Sequence, residues 1–92
     1  MYFGTWKAVQ RIRDALPVAK TNFLRAFGQR VRAARTKAGL TQQEAAIRAR
    51  MEQRTWSLME NGRRAITLRT LPRVAAAIGV PASGLIPDQL DA

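Results

Sequence analysis

Apolar residues along the chain recur every three or four positions, which marks one face of an α-helix, and no stretch alternates as a half-buried strand would. The first stripe is Trp6, Val9, Ile12 and Leu16, with Lys7, Arg11 and Arg13 elsewhere. It predicts a short amphipathic helix that Thr5 caps and Pro17 ends. Leu24, Phe27, Val31 and Ala34 then predict a core helix from about Asn22 to Lys37, stopped by Ala38-Gly39. Thr41 and Glu44 form a T-x-x-E capping box behind a hydrophobic staple at Leu40, opening a second core helix that ends near Ala49. A third runs from about Gln53 to Glu60, turns Trp56 and Met59 inward and stops at Asn61-Gly62. The fourth carries Leu71, Val74, Ala75 and Ile78 and ends at Gly79. It must begin close to Thr70, so that Pro72 falls in its first turn. Pro81 and Ser83 open a last short turn or helix with Leu85 and Ile86, closed by Pro87. The expected organisation is an amino-terminal extension over 1–21, one all-α domain over 22–87 and a tail over 88–92.

Composition narrows what such a domain does. Ninety-two residues suffice for a single core, and an apolar share of 47% suits a folded chain rather than a disordered one. Cysteine and histidine are both missing, which removes disulfides, zinc fingers, thiol nucleophiles and imidazole bases. The six acidic residues form no recognisable pair, so neither catalysis nor a cofactor or metal is expected. No apolar run reaches the roughly 18 residues of a spanning helix, and the start lacks a signal-peptide core, so a cytoplasmic, membrane-free protein is expected. Sixteen basic residues against six acidic ones leave a net charge of +10. That surface attracts polyanions, and counterion release from a phosphate backbone rewards each contact.

Two short helices joined by a few residues, the second with a polar outer face, describe a helix-turn-helix. Residues 23–86 resemble the DNA-binding domain of the Cro and lambda-repressor type, the XRE family. The resemblance runs from Phe27 through Gly39-Leu40-Thr41-Gln42, Glu44, Ala46, Glu60-Asn61-Gly62 and Leu71 to Ile78-Gly79-Val80 and Leu85-Ile86. Each fragment is weak by itself; their order and spacing are specific. The resemblance implies a five-helix, lambda-repressor-like domain preceded here by the amphipathic segment.

It also implies roles. Glutamines at the positions of Gln42 and Gln53 contact each other in phage repressors of this type, one holding a phosphate and the other reading adenine. A glutamine amide matches both N6 and N7 of adenine, and the fork of Arg54 matches O6 and N7 of guanine. Gln53 and Arg54 are therefore the expected chief base readers, with Ser57 and Leu58 as secondary contacts. Gln42, Asn61, Arg63 and Arg64 are the expected phosphate contacts, while Thr55 either reaches a phosphate or bonds to its own helix. Trp56 occupies a position that is usually buried and aliphatic, so its indole is expected in the core. Arg35 and Glu60 match the partners of a buried salt bridge, which orients helices more than it stabilises them. Two residues depart from the family pattern: Arg50 stands where the turn usually has glycine, and Glu52 where a serine-like cap is usual.

The stretch Glu60–Leu71, with Arg64, Ile66 and Thr67, also resembles controller proteins of restriction–modification systems. The leading expectation is a small transcriptional regulator, repressor or activator, that binds double-stranded DNA as a homodimer at a palindromic operator. Leu85 and Ile86 are candidate dimer contacts that equally well finish the core. An antitoxin that binds a protein partner through residues 5–16 is the alternative, since that amphipathic segment suits docking on this domain, on a second copy or on a partner.

Overall fold

The computed structural model describes residues 17–88, with side chains from Asn22 onward. The amphipathic segment 5–16 and most of the expected tail, residues 89–92, lie outside the described residues. Those described form four α-helices and one 3₁₀ turn, with no strand: α1 (Pro17–Lys37), α2 (Gln42–Arg48), α3 (Gln53–Glu60), α4 (Leu71–Ala77) and the turn Ala82–Leu85. The fold is all-α, with the two short helices α2 and α3 joined by a turn of four residues. A fifth α-helix does not form here. Pro81 and Pro87 bracket the final turn, and so short an interval between prolines closes as a 3₁₀ turn.

The start of α1 is the largest difference from the sequence reading. It begins at Pro17, five residues before the expected Asn22. A proline suits the first helical position because its missing N–H would have no partner there and its φ is already helical. The other boundaries follow the local signals. Thr41 caps α2, and both bonds of the capping box are present. Pro72 lies in the first turn of α4.

The core is built from Phe27 and Val31 of α1, Ala45 and Ala46 of α2, Ala49, Trp56 and Met59 of α3, Val74, Ala75 and Ala77 of α4, Ile78 and Leu85. Its alanines let α2 lie close to its neighbours, leaving the central volume to the fully buried Trp56 and Met59. Arg30 fastens the far end: its Nη1 donates to the carbonyls of Ile86 at 3.1 Å and Gly84 at 3.4 Å. No helix among the described residues is long and apolar enough to cross a membrane.

Candidate nucleic-acid interface

The region that matters is α2, the turn after it, and α3. At the start of α2 the Thr41 hydroxyl accepts from the Glu44 N–H at 3.1 Å, and the Thr41 N–H donates to the Glu44 carboxylate at 2.9 Å. These bonds to Thr41 hold the Glu44 carboxyl below the usual range. The turn then reverses through Arg50, whose φ of 59° is left-handed, a conformation that suits glycine. This is the position where the family pattern has glycine. Glu52 is the N-cap of α3 but accepts no bond through its side chain, so the cap is made by geometry alone.

Helical geometry sorts the residues of α3. At about 100° per residue, Arg54, Ser57, Leu58 and Asn61 fall within an arc of about 100°. Trp56, Met59 and Glu60 lie buried on the remaining side. Gln53, Arg54 and Asn61 are exposed, whereas Thr55, Ser57 and Leu58 are half-buried. The four expected base readers thus share the outward side or its first-turn edge. Among the described residues, Gln53, Arg54 and Ser57 have no side-chain partner.

The inner side of α3 meets a dense polar joint. Glu60 is 4% exposed, yet its carboxylate is fully satisfied. Arg35 Nε donates to Oε2 at 2.5 Å and Nη2 to Oε1 at 3.2 Å, so the salt bridge that the resemblance implies is bidentate here. The Trp56 indole N–H also donates to Oε2, at 2.5 Å, and the Gln42 amide donates to Oε1 at 3.0 Å. Arg35 Nη1 reaches on to the Leu40 carbonyl at 2.7 Å, just ahead of α2. One carboxylate therefore joins α1, α2 and α3. Burial pushes the Glu60 pKa up, but bonds from Arg35, Gln42 and Trp56, together with the Arg35 charge, bring it below the ordinary carboxylate range.

This joint changes the reading of Gln42. Its amide is held by Glu60 rather than by Gln53, because a buried carboxylate with open lone pairs is a stronger acceptor than a neutral amide. Trp56, by contrast, is in the core as expected, and its one polar atom is satisfied.

Two glycines set how closely α3 approaches α1. A Cβ on Gly28 would lie 2.4 Å from the Glu60 carbonyl oxygen and 2.5 Å from that of Met59. A Cβ on Gly62 would lie 2.8 Å from the Arg25 Cα, and Gly62 also has a φ of +71°. The left-handed turn at Gly62 was expected as the stop of α3, but neither close approach to α1 was. A glycine within the helical stripe of α1 was the available signal, since it costs stability unless something needs the space.

Beyond α3 the chain is closed by two backbone bonds, Gly62 N–H to the Met59 carbonyl at 3.1 Å and Arg63 N–H to the Leu58 carbonyl at 2.9 Å. They place Asn61, Arg63 and Arg64, all exposed, immediately after the outward arc. At the other end of the domain, Leu85 is 1% exposed and belongs to the protomer's own core. Its side chain finishes the core, the other role the sequence left open for it, and Ile86, 36% exposed, is the member of that pair at the surface.

The profile of the helix-turn-helix domain family matches residues 26–85. The restriction-modification controller protein C.AhdI from Aeromonas hydrophila is similar in structure, with a TM-score of 0.67 and 30% identity over 68% of this chain and 96% of that one. The clp gene regulator ClgR from C. glutamicum gives a TM-score of 0.65 and 27% identity over 68% of this chain and 82% of its own. No curated protein sequence matches. Matched across the capped α2, its turn and the buried back of α3, the chain belongs to the helix-turn-helix family, as a DNA-binding regulator of the XRE type.

Proposed function

We propose that this protein regulates transcription by binding a roughly palindromic operator as a homodimer, with α3 of each protomer in the major groove. Gln53 and Arg54 are the chief base readers, and Ser57 and Leu58 make secondary contacts. Asn61, Arg63 and Arg64 hold phosphates after the helix, and Thr55 at its edge does the same. Gln42 contributes through the remaining N–H of its amide, with Glu60 fixing its direction. Ile86 contributes to the dimer contact.

One observation carries this reading: the back of α3 is buried and bonded, while its outward arc holds side chains with no partner within the described residues. A rigid rod is thereby left with its recognition groups unspent. A helix with its side chains is about 10–12 Å across, so α3 suits a major groove about 12 Å wide.

Selection of bound fragments from random duplex DNA tests the proposal. The expected product is an inverted repeat whose half-sites are centred about 10 base pairs apart. Enrichment of single half-sites would remove the dimer, and fragments with no shared sequence would remove base reading altogether.

A further inference from the structure

One cation at the polar joint is left over. Arg32 stands on the face of α1 that meets α3, since Gly28, Arg32 and Arg35 follow one another at helical spacing. Its Nε lies 3.8 Å from Glu60 Oε1, an ion pair but not a hydrogen bond. Glu60 has no need of it, because Arg35, Gln42 and Trp56 already satisfy the carboxylate. Two guanidinium groups against one carboxylate leave a positive charge over. The Arg32 side chain, 61% exposed, carries that charge to solvent.

The oxygen that Arg32 approaches is the one that holds Gln42. The Gln42 amide donates to Oε1 at 3.0 Å, and this bond leaves its second N–H unspent among the described residues. A charged fork and a neutral donor are thus gathered at one point, where α1 and α2 meet. Glu44, the acid in the first turn of α2, has its carboxylate bonded back onto the Thr41 N–H at 2.9 Å. A compact anion with several strong acceptor oxygens fits the pair, and duplex DNA presents one at every step of its backbone.

We propose that Arg32 and Gln42 hold the same backbone phosphate of bound DNA. Arg32 supplies the charge, and Gln42, fixed by Glu60, supplies the direction. This adds α1 to an interface otherwise formed by α2, α3 and the segment after α3, and it rests on the phosphate role proposed for Gln42. One buried carboxylate then aligns both the reading helix and its anchor on the backbone.

Salt titration of duplex binding by the full chain tests the charge. On random-sequence duplex, the plot of log K against log[KCl] is expected to become less steep by about 0.9 in Arg32→Ala and to keep its slope in Arg32→Lys. The selected operator should show the same change, because a phosphate carries no sequence. An unchanged slope in Arg32→Ala would overturn the proposal. Absence of sequence preference would instead overturn the operator reading and leave this slope as it is.

A neutral methylphosphonate, placed at one backbone position of the operator at a time, tests the sharing. One position is expected to weaken binding by the unaltered protein severalfold and to have little further effect on Arg32→Ala or Gln42→Ala. Dependence of the two variants on different positions would overturn the shared clamp. A lowered urea midpoint in Arg32→Ala, with sensitivity to every position kept, would overturn it too and assign Arg32 to the fold.

Discussion

The two ends of α3 are built to different standards. Its carboxyl end is clamped: Glu60 accepts from three side chains on two neighbouring helices and its own, Gly28 lets α1 touch its backbone, and Gly62 seats the exit against Arg25. Its amino end is lightly held. Arg50 sits in a conformation that disfavours a side chain, Glu52 caps without a side-chain bond, and Gln53 and Arg54 project outward. The base-reading role proposed for α3 needs both conditions, a fixed axis and unspent polar groups, and this helix has them at opposite ends.

Breaking the clamp is expected to have the largest effect. Glu60→Gln leaves Arg35 without its counter-charge in a site where Arg35 is only 13% exposed. Loss of one partner of such a pair costs about 3–5 kcal/mol, readable by urea unfolding at neutral pH. The pH dependence has a definite sign. The folded pKa of Glu60 is lowered, so its contribution is present above its ordinary value of 4.5 and is lost as pH falls below that towards the folded value. The stability gap between the protein and the Gln variant should therefore narrow in acid; a constant gap from pH 7 to 3 would contradict the joint described here.

Next in size is Gly28→Ala. The added methyl meets backbone carbonyls, which have no rotamer to yield, and overpacking of this kind costs about 1–3 kcal/mol. Because the clash falls on α3, DNA affinity is expected to drop even where the variant remains folded. An unchanged melting temperature would show that the two helices do not approach this closely.

At the open end the effects move from stability to recognition. Arg54→Ala is expected to cost about 1–3 kcal/mol on the selected operator while leaving unfolding unchanged. Equal weakening on specific and random duplexes would recast Arg54 as a phosphate contact.

The smallest effects are gains. Arg50→Gly relieves the left-handed backbone, offset by the greater freedom of glycine when unfolded, for a net of roughly 0.5–1 kcal/mol. Glu52→Ser adds the missing cap bond for a similar amount. Either substitution lowering the melting temperature would mean that the amino end is better held than its geometry indicates.

What the sequence discloses follows the range of the interaction. The bounds of α3, the Thr41–Glu44 box and the place of Pro72 depend on residues within a turn or two, and they emerge as read. Pro17 shows where local reading divides: the same residue ends one helical pattern and opens the next, and only the second role is visible in the structure. The pairing of Arg35 with Glu60 spans 25 positions and was legible only through family resemblance. Trp56 and Gln42 as further donors to the same carboxylate were not legible, since each type has many possible partners. The contacts of Gly28 and the bonds of Arg30 to the last turn are likewise products of packing, which residue spacing does not encode.

The unpartnered outer arc of α3 has a consequence for change over generations. Among the described residues Gln53, Arg54 and Ser57 bear no internal duty, so under the base-reading role proposed for them their replacement redirects the protein to another DNA address without renegotiating the scaffold. On that proposal, copies of this gene diverge in target by a few codons while every buried residue stays as it is.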